Sequence, residues 1–235
     1  MPDRFFYPDP LNVGEVLLTG TEAHHLLHVM RAEIGRSVEL FDGRGTVATG
    51  TVAGLLRKEA QIEISQTRHF AESDGFVLLT AVPKGDRFRW LIEKATELGV
   101  SRLVPISTER SVVTPRETKL KKMEQTVISA CKQSGRNWLM PISEVTGLKQ
   151  ALDIIPDSTT LLAGHPEGTP LNELNLASFE DVAVVVGPEG GFSEQEADWL
   201  EQSNVRLVSL GPHILRTETA GIALASWSLL NHFSS

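Results

Sequence analysis

Beyond Gly75 the sequence alternates short apolar runs with segments of helical period, and this alternation constrains the fold more than any other feature. Phe76 to Val82 is a continuous apolar run, the pattern of a parallel strand buried on both faces. Pro83-Lys84-Gly85-Asp86 then turns into a segment in which Phe88, Leu91, Ile92, Ala95 and Leu98 recur at 3.6-residue spacing. Asp86 is placed to cap that helix and Gly99 to end it. Further strands are expected at Arg102 to Ile106, Thr159 to Ala163, Ala183 to Val186 and Arg206 to Leu210. Helices are expected at Lys119 to Lys132, Leu148 to Ile154, Glu194 to Gln202 and Glu218 to Asn231. Ser193 and Glu196 have capping-box spacing. The pattern predicts an α/β domain with a mainly parallel sheet.

The first seventy or so residues follow another rule. Val38 to Phe41, the turn Asp42-Gly43-Arg44-Gly45, Thr46 to Val52, and the alternating Ala60 to Ile64 read as a small β-rich unit. Thr19 and Glu22 carry capping-box spacing ahead of a short helix through His25-Leu26-Leu27-His28-Val29-Met30. The polar stretch His69 to Gly75 sets the expected boundary, giving one domain over 1–72 and another over 73–235.

Composition removes several classes. The start Met1-Pro2-Asp3-Arg4 has charges and proline where a signal peptide needs an apolar segment, and Ala220 to Leu230 is too short to span a bilayer. Cys131 is the only cysteine, so no internal disulfide forms, and a cytoplasmic protein is expected. The net charge of −8 conceals an asymmetry. Residues 73–150 hold 13 Lys and Arg against 8 Asp and Glu, whereas residues 151–235 hold 2 against 12. A basic middle flanked by acidic ends marks either a nucleic-acid face or a merely solvated helix.

Two glycine-punctuated loops stand where strands end and helices begin: Gly187-Pro188-Glu189-Gly190-Gly191-Phe192-Ser193, and Leu210-Gly211-Pro212-His213-Ile214-Leu215-Arg216-Thr217-Glu218-Thr219-Ala220. Loops at the carboxyl ends of buried strands can bind one ligand between them. Glycines admit close backbone approach, and a helix start favours an anion such as phosphate. However, the GxxxxGK[ST] pattern is absent, and Glu189 would repel phosphate. A plain structural turn is one reading; a ligand carrying an adenine and a positive centre is the other. Thr217 and Glu218 are explained as a cap and a first-turn acid, while Arg216 at a helix start is electrostatically misplaced unless a negative charge develops nearby. His24, His25 and His28 include an i, i+4 pair, but no carboxylate or cysteine completes a metal shell, so no metal is expected. No GxSxG elbow supports hydrolase chemistry.

Taken together these residues resemble the RsmE family of 16S ribosomal RNA uridine-N3 methyltransferases, within the SPOUT superfamily. The likeness runs through Arg4-Phe5-Phe6, Val29-Met30-Arg31, Ala81-Val82-Pro83-Lys84-Gly85-Asp86, Glu93 to Val100, Glu109-Arg110-Ser111-Val112-Val113 and Gln133-Ser134-Gly135-Arg136, and closes on the two glycine loops. It implies an N-terminal PUA-like β-barrel joined to a SPOUT domain with a trefoil knot, and a homodimer using S-adenosylmethionine. The implied cofactor residues are Leu162, Ala163, Gly164, Gly187, Glu189, Gly190, Leu210, Ile214, Leu215 and Ala220. Arg216 is the candidate for stabilising a uridinate anion and Glu218 for removing the N3 proton. Arg4, Arg31, Lys84, Arg110 and Arg136 would grip phosphates of 16S rRNA, expected within the small ribosomal subunit.

Overall fold

The computed structural model describes residues 3–72, 76–113, 117–174 and 181–232. Its chain divides into two compact units, Met1–Glu72 with Cys131–Leu139, and Ser73–Ala130 with Met140–Ser235. A single cut at residues 72–73 therefore does not divide the chain cleanly, and residues 73–75 of the expected boundary lie outside the described residues.

The first unit holds strands β1 (Asp3–Phe6), β2 (Gly14–Leu18), β3 (Ser37–Phe41), β4 (Thr46–Leu55) and β5 (Ala60–His69) in the order β1-β3-β4-β5-β2. β1 runs parallel to β3, and the other pairs are antiparallel. All five strands send side chains into one core, including Phe5, Leu18, Leu40, Val52 and Ile62, as a barrel interior requires. The short helix α1 (Gly20–His24) passes directly into a π-helical turn, His25–Val29. Thr19 makes no side-chain capping bond. The carboxylate of Glu22 instead accepts from the Phe6 amide at 3.2 Å and from Lys132 Nζ at 2.7 Å. The capping box expected there is not formed, and the Glu22 carboxylate is engaged elsewhere.

The second unit is built on a six-stranded sheet in which every described pair is parallel. Its strands are β6 (Phe76–Ala81), β7 (Arg102–Ser107), β8 (Thr146–Gly147), β9 (Thr160–Pro170), β10 (Val182–Val186) and β11 (Arg206–Ser209), in the order β11-β9-β10-β6-β7-β8. The chain leaves β6 toward β7 on one side and returns to its other side at β10. Such a reversal of strand order is where open α/β sheets leave a crevice. Helices α2 (Arg87–Glu97), α3 (Glu117–Ser134), α4 (Leu148–Asp153), α5 (Glu194–Gln202) and α6 (Thr217–His232) complete the alternation. Val182 to Val186 is buried at every position, as the unbroken apolar run demands. α6 packs on α2 and β6, and Gly221 permits the approach: a Cβ there would stand 3.2 Å from Leu91 Cδ1. α2 ends as expected, with Gly99 at φ +80°, but Asp86 at its start makes no side-chain capping bond.

Candidate active site

Three loops meet at the carboxyl ends of β9, β10 and β11. The first begins at Gly187 and ends at Ser193, whose hydroxyl accepts from the Glu196 amide while Glu196 accepts from the Ser193 amide, completing the capping box of α5. The second runs from Leu210 to Arg216 into α6. The third was invisible as a loop because it lies inside β9. Arg206 and Leu207 pair with Leu162 and Ala163, but Val208 and Ser209 pair with Thr169 and Pro170. The five residues Gly164 to Gly168 are thus left out of the pairing with β11, as in an enlarged β-bulge, while Gly164 still pairs with Val186 of β10. Gly168 is required at its neck, since a Cβ there would lie 2.4 Å from the Val208 amide nitrogen.

The three loops enclose a cavity of about 410 Å³. Val186, Val208, Leu210, Ile214, Leu215 and Ala220 supply apolar wall, while Gly187, Gly190 and Gly191 supply backbone polar groups. Glu167 and Glu189 are the carboxylates on its lining. This size and mixture suit a small molecule with an apolar flat portion and a few polar anchors. They suit phosphate poorly, because the α5 start is already capped by Ser193.

The loops are held to one another by side chains. Arg110 donates from Nη1 to the carbonyls of Gly190, at 2.9 Å, and Phe192, at 3.1 Å. Thr217 does not cap α6; its hydroxyl donates across to the Gly187 carbonyl at 3.0 Å. Arg87, in the first turn of α2, reaches Glu189 of the first loop at 3.2 Å and Glu218 in the first turn of α6 at 3.8 Å. Glu218 is buried, and its Oε2 has no hydrogen-bond partner among the described residues. His165 on the extruded loop accepts at Nδ1 from the Glu167 amide at 3.3 Å, which places the neutral ring's proton on Nε2.

The expected residues separate accordingly. Gly164, Gly187, Glu189, Gly190, Leu210, Ile214, Leu215 and Ala220 all line the cavity. Leu162 and Ala163 do not: both are fully buried within β9 and serve its packing. Arg216 is exposed beside the cavity rim residue Leu215 and has no ion pair among the described residues. Arg110, expected at phosphates, is exposed and donates from one guanidinium nitrogen to the glycine loop.

Two more of the expected phosphate contacts belong to the packing of the first unit. The Arg4 guanidinium donates to the Arg136 carbonyl and the Asn137 side chain, lies 3.3 Å from Glu39, and sits 4.4 Å over the Phe41 ring. Burial is the main influence pulling its pKa down, against the raising effect of Glu39. Burial also lowers that of Arg136. Arg31, at φ +49°, and Lys84 are exposed. Among the described residues no group of three His, Cys, Asp or Glu side chains has a metal-holding arrangement, and no helix is long and apolar enough to cross a membrane.

Residues 72–229 match the model of the RNA methyltransferase domain, and residues 18–65 that of the RNA methyltransferase PUA domain. Ribosomal RNA small subunit methyltransferase E of Bacillus subtilis is 31% identical over 217 residues, which cover 86% of this chain and 85% of that protein. The chain belongs to the ribosomal RNA small subunit methyltransferase E family. The family member of Synechocystis is 30% identical over 231 residues, 95% of this chain and 76% of that one. A crystal structure of the Neisseria gonorrhoeae member, bound to S-adenosyl methionine, superposes with a TM-score of 0.88 at 34% identity, covering 97% of this chain and 96% of that one. The SPOUT fold of the family is the parallel-sheet unit described above, and its PUA-like unit is the five-stranded one.

Proposed function

We propose that this protein transfers a methyl group from S-adenosylmethionine to N3 of a uridine in 16S rRNA of the small ribosomal subunit. The observation that carries this reading is the cavity at the ends of β9, β10 and β11, in a chain whose Neisseria relative was crystallised with that cofactor over almost its whole length. The residues present fit the group. Leu210, Ile214, Leu215 and Ala220 offer apolar wall for an adenine, and the backbone of Gly187 and Gly190 offers polar anchors. When bound, the cofactor supplies a sulfonium-activated methyl group. Glu189 supplies a carboxylate on the same lining.

Uridine N3 carries a proton at neutral pH, so attack needs a base and tolerance of a delocalised anion. Glu218 supports the first role: it is buried, and its Oε2 accepts no hydrogen bond among the described residues. Arg216 supports the second, being a cation with no competing carboxylate among the described residues. Arg31 and Lys84 are the exposed cations left to contact phosphates, which position RNA without reading its sequence. The target base leaves its stack to reach the cavity. The enzyme works as a cytoplasmic homodimer; exposed Ile214 and Leu230 support pairing of the second unit with a copy of itself. Calorimetric titration with S-adenosylmethionine tests the reading: one saturable site per chain is expected, and absence of binding overturns it.

A further inference from the structure

Around the cavity, positive and negative charge are unequally matched. Glu189 lies on the lining, Glu218 is buried in the first turn of α6, and both draw on the guanidinium of Arg87. The sharing is uneven, 3.2 Å to Glu189 and 3.8 Å to Glu218. The Glu218 side chain is only 7% exposed, and its second oxygen has no hydrogen-bond partner among the described residues. A buried carboxylate in that condition is under-compensated. Arg110, the arginine on the lining, spends its guanidinium hydrogen bonds on the carbonyls of Gly190 and Phe192. Those carbonyls are neutral, so Arg110 keeps its charge, but Glu167 on the same lining offsets it, and the two carboxylates that share Arg87 leave the surroundings of the cavity net negative.

We propose that Arg87 is a positioning residue that sets how strongly this cavity prefers the cationic methyl donor over its neutral product. The inference rests on the reading that the cavity holds S-adenosylmethionine. The donor carries a sulfonium; once the methyl group has left, the same sulfur is an uncharged thioether in S-adenosylhomocysteine. The two molecules share every other group, so uncompensated negative charge near the sulfur acts on the donor alone. Arg87 moderates that charge. With it in place the cavity favours the donor without binding it so tightly that exchange stalls, and product leaves an unattractive site. Electrostatic attraction over several Å at a protein surface supports a discrimination of about tenfold.

The experiment is the ratio of dissociation constants for S-adenosylhomocysteine and S-adenosylmethionine, by calorimetry on the full chain. The wild type favours the donor. Glu189→Gln lowers the ratio toward one, Arg87→Gln raises it by about tenfold, and Arg87→Lys, which keeps the charge, leaves it near wild type. Thermal unfolding of each variant checks that the fold is intact. A uniform loss of affinity for both ligands, with the ratio unchanged in Arg87→Gln and Glu189→Gln, overturns the proposal and leaves Arg87 as a mechanical tie between loops. Failure of the wild type to bind either ligand overturns instead the reading on which it rests.

Discussion

Replacing Arg110 by alanine separates two assignments that its sequence context leaves equivalent. As a loop brace, Arg110 makes two charge-assisted hydrogen bonds, to Gly190 at 2.9 Å and Phe192 at 3.1 Å. The first is exposed and contributes about 0.5 kcal/mol; the second is partly buried and contributes about 1.5 kcal/mol. Both act on the loop that lines the cavity, so about 2 kcal/mol of loop ordering must then come from the ligand. If all of it passes into binding, affinity for S-adenosylmethionine falls about 30-fold. Arg110→Lys recovers only part, because both bonds leave one planar guanidinium nitrogen whose N–H directions are fixed, whereas an ammonium on a flexible stem is not held in that geometry. Titration of both variants at low and high salt is the assay, and the loss persists at high salt. A phosphate contact behaves oppositely: cofactor affinity stays at wild type, while RNA affinity falls and its salt slope shrinks by about one. That second pattern would refute the brace.

Gly168→Ala forces a Cβ to 2.4 Å from the Val208 nitrogen, so the neck of the extruded loop must move; a loss of about 1–3 kcal/mol in thermal or urea unfolding is expected, with weakened cofactor binding. Arg216→Ala is expected to lower kcat while leaving cofactor affinity near wild type, and a large affinity loss with normal turnover would reassign the residue. Lys84→Glu weakens RNA binding most at low salt, which filter binding across a salt series detects. Burial pushes the Cys131 thiol from its ordinary value of 9.0 up to about 11. Between those values the unfolded chain releases a proton that the folded chain retains, so stability is full below about pH 9 and declines as pH rises toward 11. Cys131→Ala should flatten part of that alkaline decline in unfolding experiments.

Local chemistry was legible wherever neighbours in sequence decide the outcome. The apolar run Phe76 to Val82, the α2 periodicity and the capping box of Ser193 and Glu196 are all present. Thr19 and Glu22 have the same spacing, yet Lys132, 110 residues away, claims the Glu22 carboxylate. Such long-range competition leaves no mark on a local pattern. The same holds for Arg4 and Arg110, whose cationic side chains suggest phosphates until distant carbonyls are seen to occupy them. The extruded loop of β9 had a faint signal in its two glycines, Gly164 and Gly168. The register jump that carries His165 to the cavity depends on pairing with β11, more than forty residues later. Arg87 stands with Lys84 and Arg89 after a strand, and nothing adjacent in sequence marks the two distant carboxylates it joins.

The central claim, methylation of a uridine base by a donor held between these three loops, is tested most directly by nucleoside mass spectrometry. Small-subunit RNA lacking the modification is incubated with this protein and isotope-labelled S-adenosylmethionine, then digested to nucleosides. The account predicts label in 3-methyluridine. Label in a ribose-methylated nucleoside, or none at all, would contradict it.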